Sequence, residues 1–262
     1  MHPFLGIADS GSGGLSVRQS IVSLLPREST LYVGDHVNLP YSRKSTRFIR
    51  SRMRTLISYL ISRRSKLIIL ACNTATVAGI DVYRREFPQV PIIGVVPVVK
   101  TASETSTARC FAVLSTRYTA RSPYQRRLIR TFAAGCRIYN IGCTNLVSLV
   151  EQGILTGRRV RSTLRNVLQA GIAGGIDTIA LGCTHYPFLR PEIRAIVGES
   201  VRILDSGGAV ARHVSRILDK NNMRAKRARA THEFITTGSD SDVTRVAGTL
   251  VGMSVEFRHV AI

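Results

Sequence analysis

The sequence predicts an α/β protein with mostly parallel sheets, and three observations support this fold class. Short β-rich runs recur along the chain, and several are apolar without alternation, as in strands covered on both faces. Helical patterns lie between these runs, so that strands and helices alternate. A weak repeat of strand, turn and helix, at 4–20 and again at 110–130, indicates two similar lobes that face each other.

The individual elements follow from local patterns. From 48 to 61, the apolar residues fall on one stripe of a helix with the arginines outside it. A second helix is predicted at 160–175, where two terminal glycines can cap it, and a third at 208–222. Seven strands are predicted, at 4–8, 31–34, 66–71, 91–96, 110–115, 178–182 and 201–205.

Composition limits the class of protein. The 262 residues are 44% hydrophobic, enough for a core, so general disorder is not expected. The N-terminal sequence lacks the pattern of a signal peptide, and no apolar run approaches the roughly 18 residues of a membrane span. Five cysteines occur without a C-x-x-C pair. These features predict a cytoplasmic protein with reduced thiols and no membrane association.

The chain is strongly basic, with 37 Lys and Arg residues against 16 acidic residues and a formal net charge of +21. Such a field attracts nucleic acid, anionic lipid or acidic small molecules. The two densest stretches, 43–54 and 220–230, lack the interleaved aromatic residues of a base-stacking surface. We therefore interpret most of the charge as solvated helix faces, and nucleic acid is not an expected partner.

Two cysteines occupy matching settings 111 positions apart, each at the end of an apolar strand. Asn73 and Thr74 follow Cys72, whereas Thr184 and His185 follow Cys183. Sites in parallel sheets form outside the carboxyl ends of the strands, so two facing lobes would present these thiols to one cleft. One thiolate and one thiol on opposite sides of a carbon can remove a proton from one face and return it to the other.

Other polar residues fit this chemistry but also have structural interpretations. Asp9 and Glu151 are carboxylates that can relay protons, yet Asp9 with Ser10 can equally cap the helix that follows. The glycines of 11–14 do not complete a dinucleotide fingerprint. Either cysteine alone can be a small core residue. Zinc is not expected, because Cys183 and His185 lack further ligands at the usual spacing.

The remaining cysteines are expected to have no catalytic role. Cys143 resembles the two strand-end cysteines but is interpreted as a decoy. Cys110 and Cys136 have no supporting polar residues and are predicted to lie in the core.

Seven motifs occur in order along the chain: IADSGSGGLSV (7–17), GDHVNLPYSRKS (34–45), ACNTAT (71–76), IGVVPVVK (93–100), LVEQG (149–153), LGCTHYPFL (181–189) and LDSGGAVA (204–211). Through these motifs the chain resembles bacterial glutamate racemases nearly end to end. The resemblance implies interconversion of L- and D-glutamate, without cofactor or metal, to supply D-glutamate for peptidoglycan. It also implies a first lobe of 1–97 plus 208–262, a second lobe of 98–207, and an active site in the cleft between them.

The resemblance also implies residue roles. Cys72 and Cys183 would be the catalytic thiols, with Asp9 beside Cys72, and with Glu151 and His185 beside Cys183. Substrate binding would fall to Asp9, Ser10, Tyr41, Ser42, Asn73, Thr74, Thr184 and His185. The substrate would be glutamate, and family members commonly form homodimers.

The sequence departs from the family pattern at four positions. Ser42 stands where the family has glycine, so that it adds a Cβ near substrate and calls for a different local backbone. Tyr118 also stands where glycine is frequent, and Thr144 where proline is frequent. Ser12 replaces an apolar residue, a change expected to be harmless.

Three alternatives remain open from the residues. The first is an aspartate racemase, which shares the two-cysteine logic. The second is a pyridoxal phosphate enzyme with Lys100 as its Schiff-base lysine. The third is a basic nucleic-acid-binding protein whose thiols are structural.

Overall fold

Ten strands form two parallel sheets in the computed structural model of the chain, which describes residues 3–226 and 229–262. The first sheet has the order β10-β9-β2-β1-β3-β4 and the second β6-β5-β7-β8. The strands are β1 Phe4–Asp9, β2 Thr30–Gly34, β3 Ser65–Leu70, β4 Ile92–Gly94, β5 Cys110–Ser115, β6 Arg137–Gly142, β7 Thr178–Gly182, β8 Arg202–Leu204, β9 His232–Thr236 and β10 Phe257–His259.

Helices cover both faces of each sheet, which explains the continuous apolar runs of the central strands. On the first sheet, α1, α10 and α11 pack on one face and α2 and α3 on the other. On the second, α7, α8 and α9 pack opposite α4 and α6. The helices are α1 Leu15–Leu24, α2 Thr46–Ser62, α3 Asn73–Glu86, α4 Val99–Thr105, α5 Arg117–Arg121, α6 Pro123–Phe132, α7 Asn145–Glu151, α8 Arg158–Ala173, α9 Arg190–Val197, α10 Gly207–Lys220 and α11 Asp240–Val251.

The predicted stripe of α2 is buried as the pattern indicates. Its inward residues are Ile49, Met53, Leu56, Ile57 and Leu60, all without exposed surface. The Ser45 hydroxyl caps the helix by accepting from the Phe48 N–H at 3.2 Å. The glycines predicted to end α8 follow its last residue, and Gly175 has a φ of +76°, a conformation that glycine adopts without strain.

The register of the central strands sets the position of the cleft. Ala8 of β1 pairs with Leu70 of β3, so Asp9 and Cys72 leave the first sheet at the same edge. Ser115 of β5 pairs with Gly182 of β7, so Thr116 and Cys183 leave the second sheet together. Both edges are the carboxyl ends of parallel strands, where ligand sites form in open α/β sheets.

Several elements differ from the sequence-based expectations. The segment 115–122, expected as a turn, contains helix α5. Strands β6, β9 and β10 lack the continuous apolar pattern and were not predicted; β6 is partly exposed along its length.

The lobe boundaries at residues 97 and 208 stay a prediction. The basic stretch 220–230 includes residues 227 and 228, which lie outside the described part of the chain. Within the described ranges, no helix has the length and apolar character to cross a bilayer.

Candidate active site

Cys72 lies at the N-terminus of helix α3, where its Sγ accepts from the Ala75 N–H at 3.5 Å. The Ser10 hydroxyl lies 3.5 Å from the same sulfur and donates to Asp9 Oδ1 at 3.2 Å. Burial and the nearby Asp9 charge raise the pKa of the Cys72 thiol well above its usual value, against the opposing effect of these two hydrogen bonds. In this arrangement Cys72 is therefore a thiol at neutral pH.

Asp9 ends strand β1 and is fully buried. Its Oδ1 accepts from the Ser10 N–H at 2.5 Å, and its Oδ2 accepts from the Gly14 N–H just before α1. The carboxylate thus satisfies a backbone group at the start of α1, as the capping interpretation expects, while remaining linked to Cys72. Burial raises the pKa of Asp9 to about 6; His185 lowers it and Glu151 raises it further.

Cys183 follows strand β7, and its Sγ lies 3.8 Å from Nδ1 of His185. The other ring nitrogen of His185 lies 2.5 Å from Oε1 of Glu151, at the end of α7. All three side chains are buried or nearly so. The geometry is that of an imidazole held by a carboxylate against a thiol.

Glu151 and His185 form a charged pair at neutral pH. Burial disfavours ionisation of Glu151, but the hydrogen bond and the charge of His185 outweigh it and lower the pKa of the carboxyl to about 2. Burial likewise disfavours the imidazolium, but the hydrogen bonds to Cys183 and Glu151 raise the pKa of His185 well above its usual value. The imidazolium of His185 therefore lies beside the Cys183 sulfur.

The glycine-rich turn of 11–14 brings the lobes into contact. The Ser12 N–H donates to Glu151 Oε1 at 2.7 Å. A Cβ on Gly11 would collide with the Glu151 carboxylate, and one on Gly13 with the His185 ring. Glycine is needed at these two positions because the second lobe approaches the backbone closely.

Ser12 and His36 are site residues that the sequence reasoning missed. The Ser12 hydroxyl lies 3.0 Å from Nε2 of His36, whose Nδ1 lies 2.8 Å from Thr236 Oγ1. Burial lowers the pKa of His36, although the charge of Glu151 opposes this effect. Ser12, expected to be a harmless replacement, therefore lies in a chain of contacts. Through His36 it connects strand β9 to the turn whose backbone binds Glu151.

Both strand-end cysteines line one cavity between the lobes. Its free volume is about 20 Å³, space for about one water molecule, so the site is closed and must widen to admit an amino acid. Cys72 and Cys183 are 5% and 6% exposed. The cavity is lined by Ser10, Pro40, Tyr41, Ser42, Cys72, Asn73, Thr74, Thr116, Val147, Cys183, Thr184 and His185.

Two polar atoms of the cavity lining are buried without a hydrogen-bond partner among the described residues, Ser42 Oγ and Asn73 Oδ1. Buried polar groups in native proteins are almost always paired, and leaving one unpaired costs about 1–3 kcal/mol. These two atoms are available to a polar ligand that enters the cavity.

The other residues with implied substrate roles already use their hydroxyl groups in hydrogen bonds within the protein. Thr74 Oγ1 lies 3.0 Å from Thr116 Oγ1 of the second lobe, and Thr184 Oγ1 donates to Asp9 Oδ2 at 3.4 Å. The Tyr41 hydroxyl donates to Asp35 Oδ2 at 2.6 Å, which leaves only the rest of Tyr41 to contact a ligand. Thr116 was not singled out from the sequence, since a lone threonine after a strand carries no distinctive pattern.

The backbone at Ser42 has a conformation that any residue can adopt. Ser42 lies in a short 3₁₀ turn, Tyr41–Arg43, and is not among the residues with positive φ. Its Cβ therefore introduces no backbone strain.

The residues set aside in the sequence analysis lie outside the cavity lining. Cys143 and Cys110 are packed in the core of the second lobe, and Cys136 is partly buried beside it. Lys100 has a largely exposed side chain on α4, near Glu104. The described residues around Lys100 leave its side chain exposed and do not form the enclosed site that a Schiff-base lysine needs.

Comparisons with known proteins identify the family of the chain. The sequence profile of the Asp/Glu/hydantoin racemase family matches residues 10–214. A glutamate racemase from Stutzerimonas stutzeri is 38% identical over 255 residues, which cover 97% of this chain and 96% of that protein. The chain belongs to the glutamate racemase family. It is an amino-acid racemase, so the enzyme interpretation is confirmed.

Solved structures of this family show the same fold. A glutamate racemase isoform from Bacillus anthracis superposes with a TM-score of 0.91 at 30% identity, covering 100% of this chain and 98% of that one. The Escherichia coli glutamate racemase, in complex with L-glutamate and an activator, gives a TM-score of 0.85 at 30% identity, with 98% and 97% covered. The α/β fold class predicted from the sequence is confirmed.

Proposed function

We propose that the chain interconverts L- and D-glutamate by a two-base mechanism in which Cys72 and Cys183 act on opposite faces of the substrate Cα. The observation that carries the proposal is that one cavity is lined by both thiols, one from the carboxyl edge of each sheet. Glutamate is the substrate in the names of the relatives and in the Escherichia coli complex.

Each half of the cavity supplies a different way to form a thiolate. At Cys72, the Ser10 hydroxyl links the sulfur to Asp9, whose pKa of about 6 suits a group that takes up and returns a proton. At Cys183, the His185 imidazolium lies beside the sulfur and stabilises the negative charge.

The reaction then needs one proton transfer on each face. A thiolate removes the Cα proton, and the electron pair of the broken C–H bond moves into the substrate carboxylate. The opposite thiol donates its proton to the other face of Cα and becomes the thiolate. Each turnover inverts the carbon and exchanges the roles of the two sulfurs, so the reverse reaction follows the same path.

The substrate groups have suitable partners. The backbone N–H groups at the N-terminus of α3, next to Asn73 and Thr74, favour a carboxylate. Ser42 Oγ and Asn73 Oδ1 are the unpaired atoms that a bound amino acid would satisfy. The cavity has room for about one water molecule, which limits the water able to compete in protonating the Cα carbanion.

Free thiols in both catalytic positions require a reducing compartment, so we place the enzyme in the cytoplasm, where it would supply D-glutamate for peptidoglycan. Oligomeric state stays a prediction from the family resemblance.

The test uses Cys72→Ser and Cys183→Ser with wild type. Each variant should lose nearly all racemisation of L- and D-glutamate, followed by circular dichroism, because one face loses its acid or base. Each variant should still eliminate halide from one enantiomer of a β-halogenated glutamate analogue, since elimination needs only one base.

Cys143→Ser is the matched control, because this buried cysteine also follows a strand but does not line the cavity. It should retain activity. Near wild-type racemisation by either Cys72→Ser or Cys183→Ser would overturn the mechanism, and turnover of aspartate in preference to glutamate would overturn the substrate.

A further inference from the structure

The turn formed by residues 11–14 contacts both carboxylates of the site. The Gly14 N–H donates to Asp9 Oδ2, and the Ser12 N–H donates to Glu151 Oε1 at 2.7 Å. Asp9 is connected to Cys72 in the first lobe, whereas Glu151 belongs to the second lobe. The position of this one backbone segment therefore affects both halves of the site.

The turn depends on a single side chain to fix its position. Its other three residues are glycines, whose backbone is freer than that of any other residue. The Ser12 hydroxyl is buried and lies 3.0 Å from Nε2 of His36. Within the described ranges, His36 is the one hydrogen-bond partner of this hydroxyl. The contact with His36 is therefore the side-chain anchor of the turn.

The His36 ring is held by strands of the first sheet. Its Nδ1 lies 2.8 Å from Thr236 Oγ1 at the end of β9. The ring meets Phe257 of β10 edge to face, with centroids 5.9 Å apart and planes at 90°. A Cβ on Gly34 would collide with the same ring, which therefore packs tightly against the end of β2. These contacts restrict the ring to an orientation in which Nε2 faces the turn.

A second contact holds the neighbouring residue of the turn. The hydroxyl of buried Tyr32 donates to the Gly11 carbonyl at 2.6 Å. The Tyr32 ring also packs edge to face on Phe257, at 5.9 Å and 88°. Two consecutive residues of the turn are thus bound by two side chains, Tyr32 and His36, that share one aromatic support.

The anchored turn matters because its contact with Glu151 crosses the cleft. The catalytic cavity must widen to admit substrate, so the lobes separate and meet again during turnover. A turn that is already in place can receive Glu151 without further ordering, and small displacements of catalytic groups are costly. Glu151 in turn lies 2.5 Å from His185, whose other ring nitrogen is 3.8 Å from the Cys183 sulfur.

We propose that His36 is a positioning residue for racemisation. Through Ser12, it holds the glycine-rich turn where the Ser12 N–H meets Glu151 each time the cleft closes. His36 does not itself line the catalytic cavity. Its effect on turnover rests on the proposed function, because that effect passes through Glu151 and His185 to Cys183.

Three variants test the anchor. His36→Leu fills a similar volume without the ring nitrogens, His36→Gln can place an amide nitrogen near the position of Nε2, and Ser12→Ala removes the hydroxyl but keeps the N–H. The protection factor of the residue 12 amide, measured by NMR hydrogen exchange without substrate, should fall about tenfold in His36→Leu and in Ser12→Ala. In His36→Gln it should stay within about twofold of wild type. This measurement does not depend on the proposed function.

Kinetics then test the positioning role. In His36→Leu, kcat/KM for glutamate should fall about tenfold, and His36→Gln should recover most of the loss. The primary deuterium isotope effect should rise only in the direction that begins with proton removal by Cys183. The double variant His36→Leu with Ser12→Ala should be no slower than His36→Leu alone, because both substitutions break the same link.

His259→Leu is the matched control. Its Nδ1 lies 2.9 Å from the Gly238 carbonyl, so it binds the loop after β9 at the same end of the first sheet instead of the turn. It should keep the protection factor and the kinetics of wild type.

Four results would overturn the proposal. They are an unchanged protection factor in His36→Leu, reduced protection with wild-type kcat/KM, additive losses in the double variant, and equal losses in His36→Gln and His36→Leu. The last two would mean that the His36 ring acts only by packing. Absence of racemisation in wild type would overturn the proposed function and with it the positioning role, whereas the protection factors would still decide whether His36 anchors the turn.

Discussion

Oε1 of Glu151 lies 2.5 Å from Nε2 of His185, and this pair fixes the imidazole beside Cys183. The same carboxylate oxygen accepts from the Ser12 N–H of the first lobe at 2.7 Å. One side chain therefore holds the catalytic imidazole and also contacts the opposite lobe. The charge state of His185 and the closure of the cleft both depend on Glu151.

Replacing Glu151 by Gln should reduce kcat/KM on the order of 100-fold, the scale of lost acid–base assistance. Gln keeps the shape but not the charge, so the pKa of buried His185 falls and Cys183 loses its cationic neighbour. The loss should be larger at pH 8 than at pH 6, because the imidazole of the variant is neutral at the higher pH. The pH profiles of wild type and variant measure this difference.

Isotope effects add a second measurement on Glu151→Gln. The two enantiomers have equal free energies, so kcat/KM must fall equally in both directions. The primary deuterium isotope effect should rise only in the direction that begins with proton removal by Cys183. Glu192→Gln is the control, since Glu192 is a buried carboxylate of the same lobe that pairs with Arg161 away from the cavity. Identical pH profiles and isotope effects for Glu151→Gln and Glu192→Gln would contradict the role assigned to Glu151.

Asp9 should set the acid limb of the pH–rate profile. Its pKa of about 6 means that the carboxylate able to accept the Cys72 proton forms as the pH rises through 6. In wild type, we expect kcat/KM to decrease as the pH falls below 6. In Asp9→Asn, we expect this decrease to be absent and the remaining activity to be low at every pH. A limb that persists in the variant would assign it to another group.

The same pKa shift predicts a change in stability with pH. The folded-state pKa of about 6 exceeds the ordinary value of 3.8, so the folded protein binds this proton more tightly. The stabilisation is complete below 3.8 and is lost as the pH rises to about 6; two pKa units correspond to roughly 3 kcal/mol. Thermal unfolding of wild type and Asp9→Asn between pH 4 and 7 should show a less negative slope of Tm against pH in the variant.

The sequence predicted strands with continuous apolar runs better than strands without them. Buried central strands such as β1, β3 and β7 have continuous apolar runs that few other structures explain. The missed strands β6 and β10 are different, because β6 is partly exposed and β10 has only one buried residue of three. Their place in the sheets depends on tertiary packing rather than on local pattern.

In the site, too, only the residues marked by a local sequence pattern could be predicted. The two cysteines could be found because each ends an apolar run and is followed by polar residues. Ser12 and His36 could not, since their link joins a turn after β1 to a turn after β2 and no periodic pattern connects them. The hydrogen bond from the Tyr41 hydroxyl to Asp35 could not be predicted either. It depends on the position of the Asp35 carboxylate, which is bound by Arg52 of α2.

Ser42→Ala should make the protein more stable and a weaker binder of substrate. Among the described residues the buried Ser42 hydroxyl has no hydrogen-bond partner, a state that costs about 1–3 kcal/mol. Removing it should raise the free energy of unfolding, measured in denaturant, and should raise the KM for glutamate about fivefold if substrate supplies the missing hydrogen bond.

Ser65→Ala separates these two effects. Ser65 is also buried, and its hydroxyl has no partner within the described part of the chain, but it lies at the start of β3 and does not line the cavity. It should gain stability with no change in KM. Equal KM values for Ser42→Ala and wild type would show that the Ser42 hydroxyl does not contact substrate.

The Tyr118 and Thr46 hydroxyls should contribute a measurable coupling between the lobes. They lie 2.7 Å apart, and Tyr118 also packs against the core of the first lobe. In a double-mutant cycle with Tyr118→Phe and Thr46→Val, we expect a coupling of about 0.5–1 kcal/mol, since the pair is exposed to solvent. Equilibrium unfolding in denaturant measures the cycle.

The same variants should open the cleft more readily. Turnover requires the closed cavity to widen, so Tyr118→Phe should raise kcat if product release limits it. The variant should also raise KM, because the closed form is less favoured. Tyr124→Phe is the control, because its ring also packs against the first lobe while its hydroxyl makes no hydrogen bond within the described ranges. A coupling of zero, with kinetics equal to the Tyr124→Phe control, would mean that the Tyr118–Thr46 contact does not hold the lobes together.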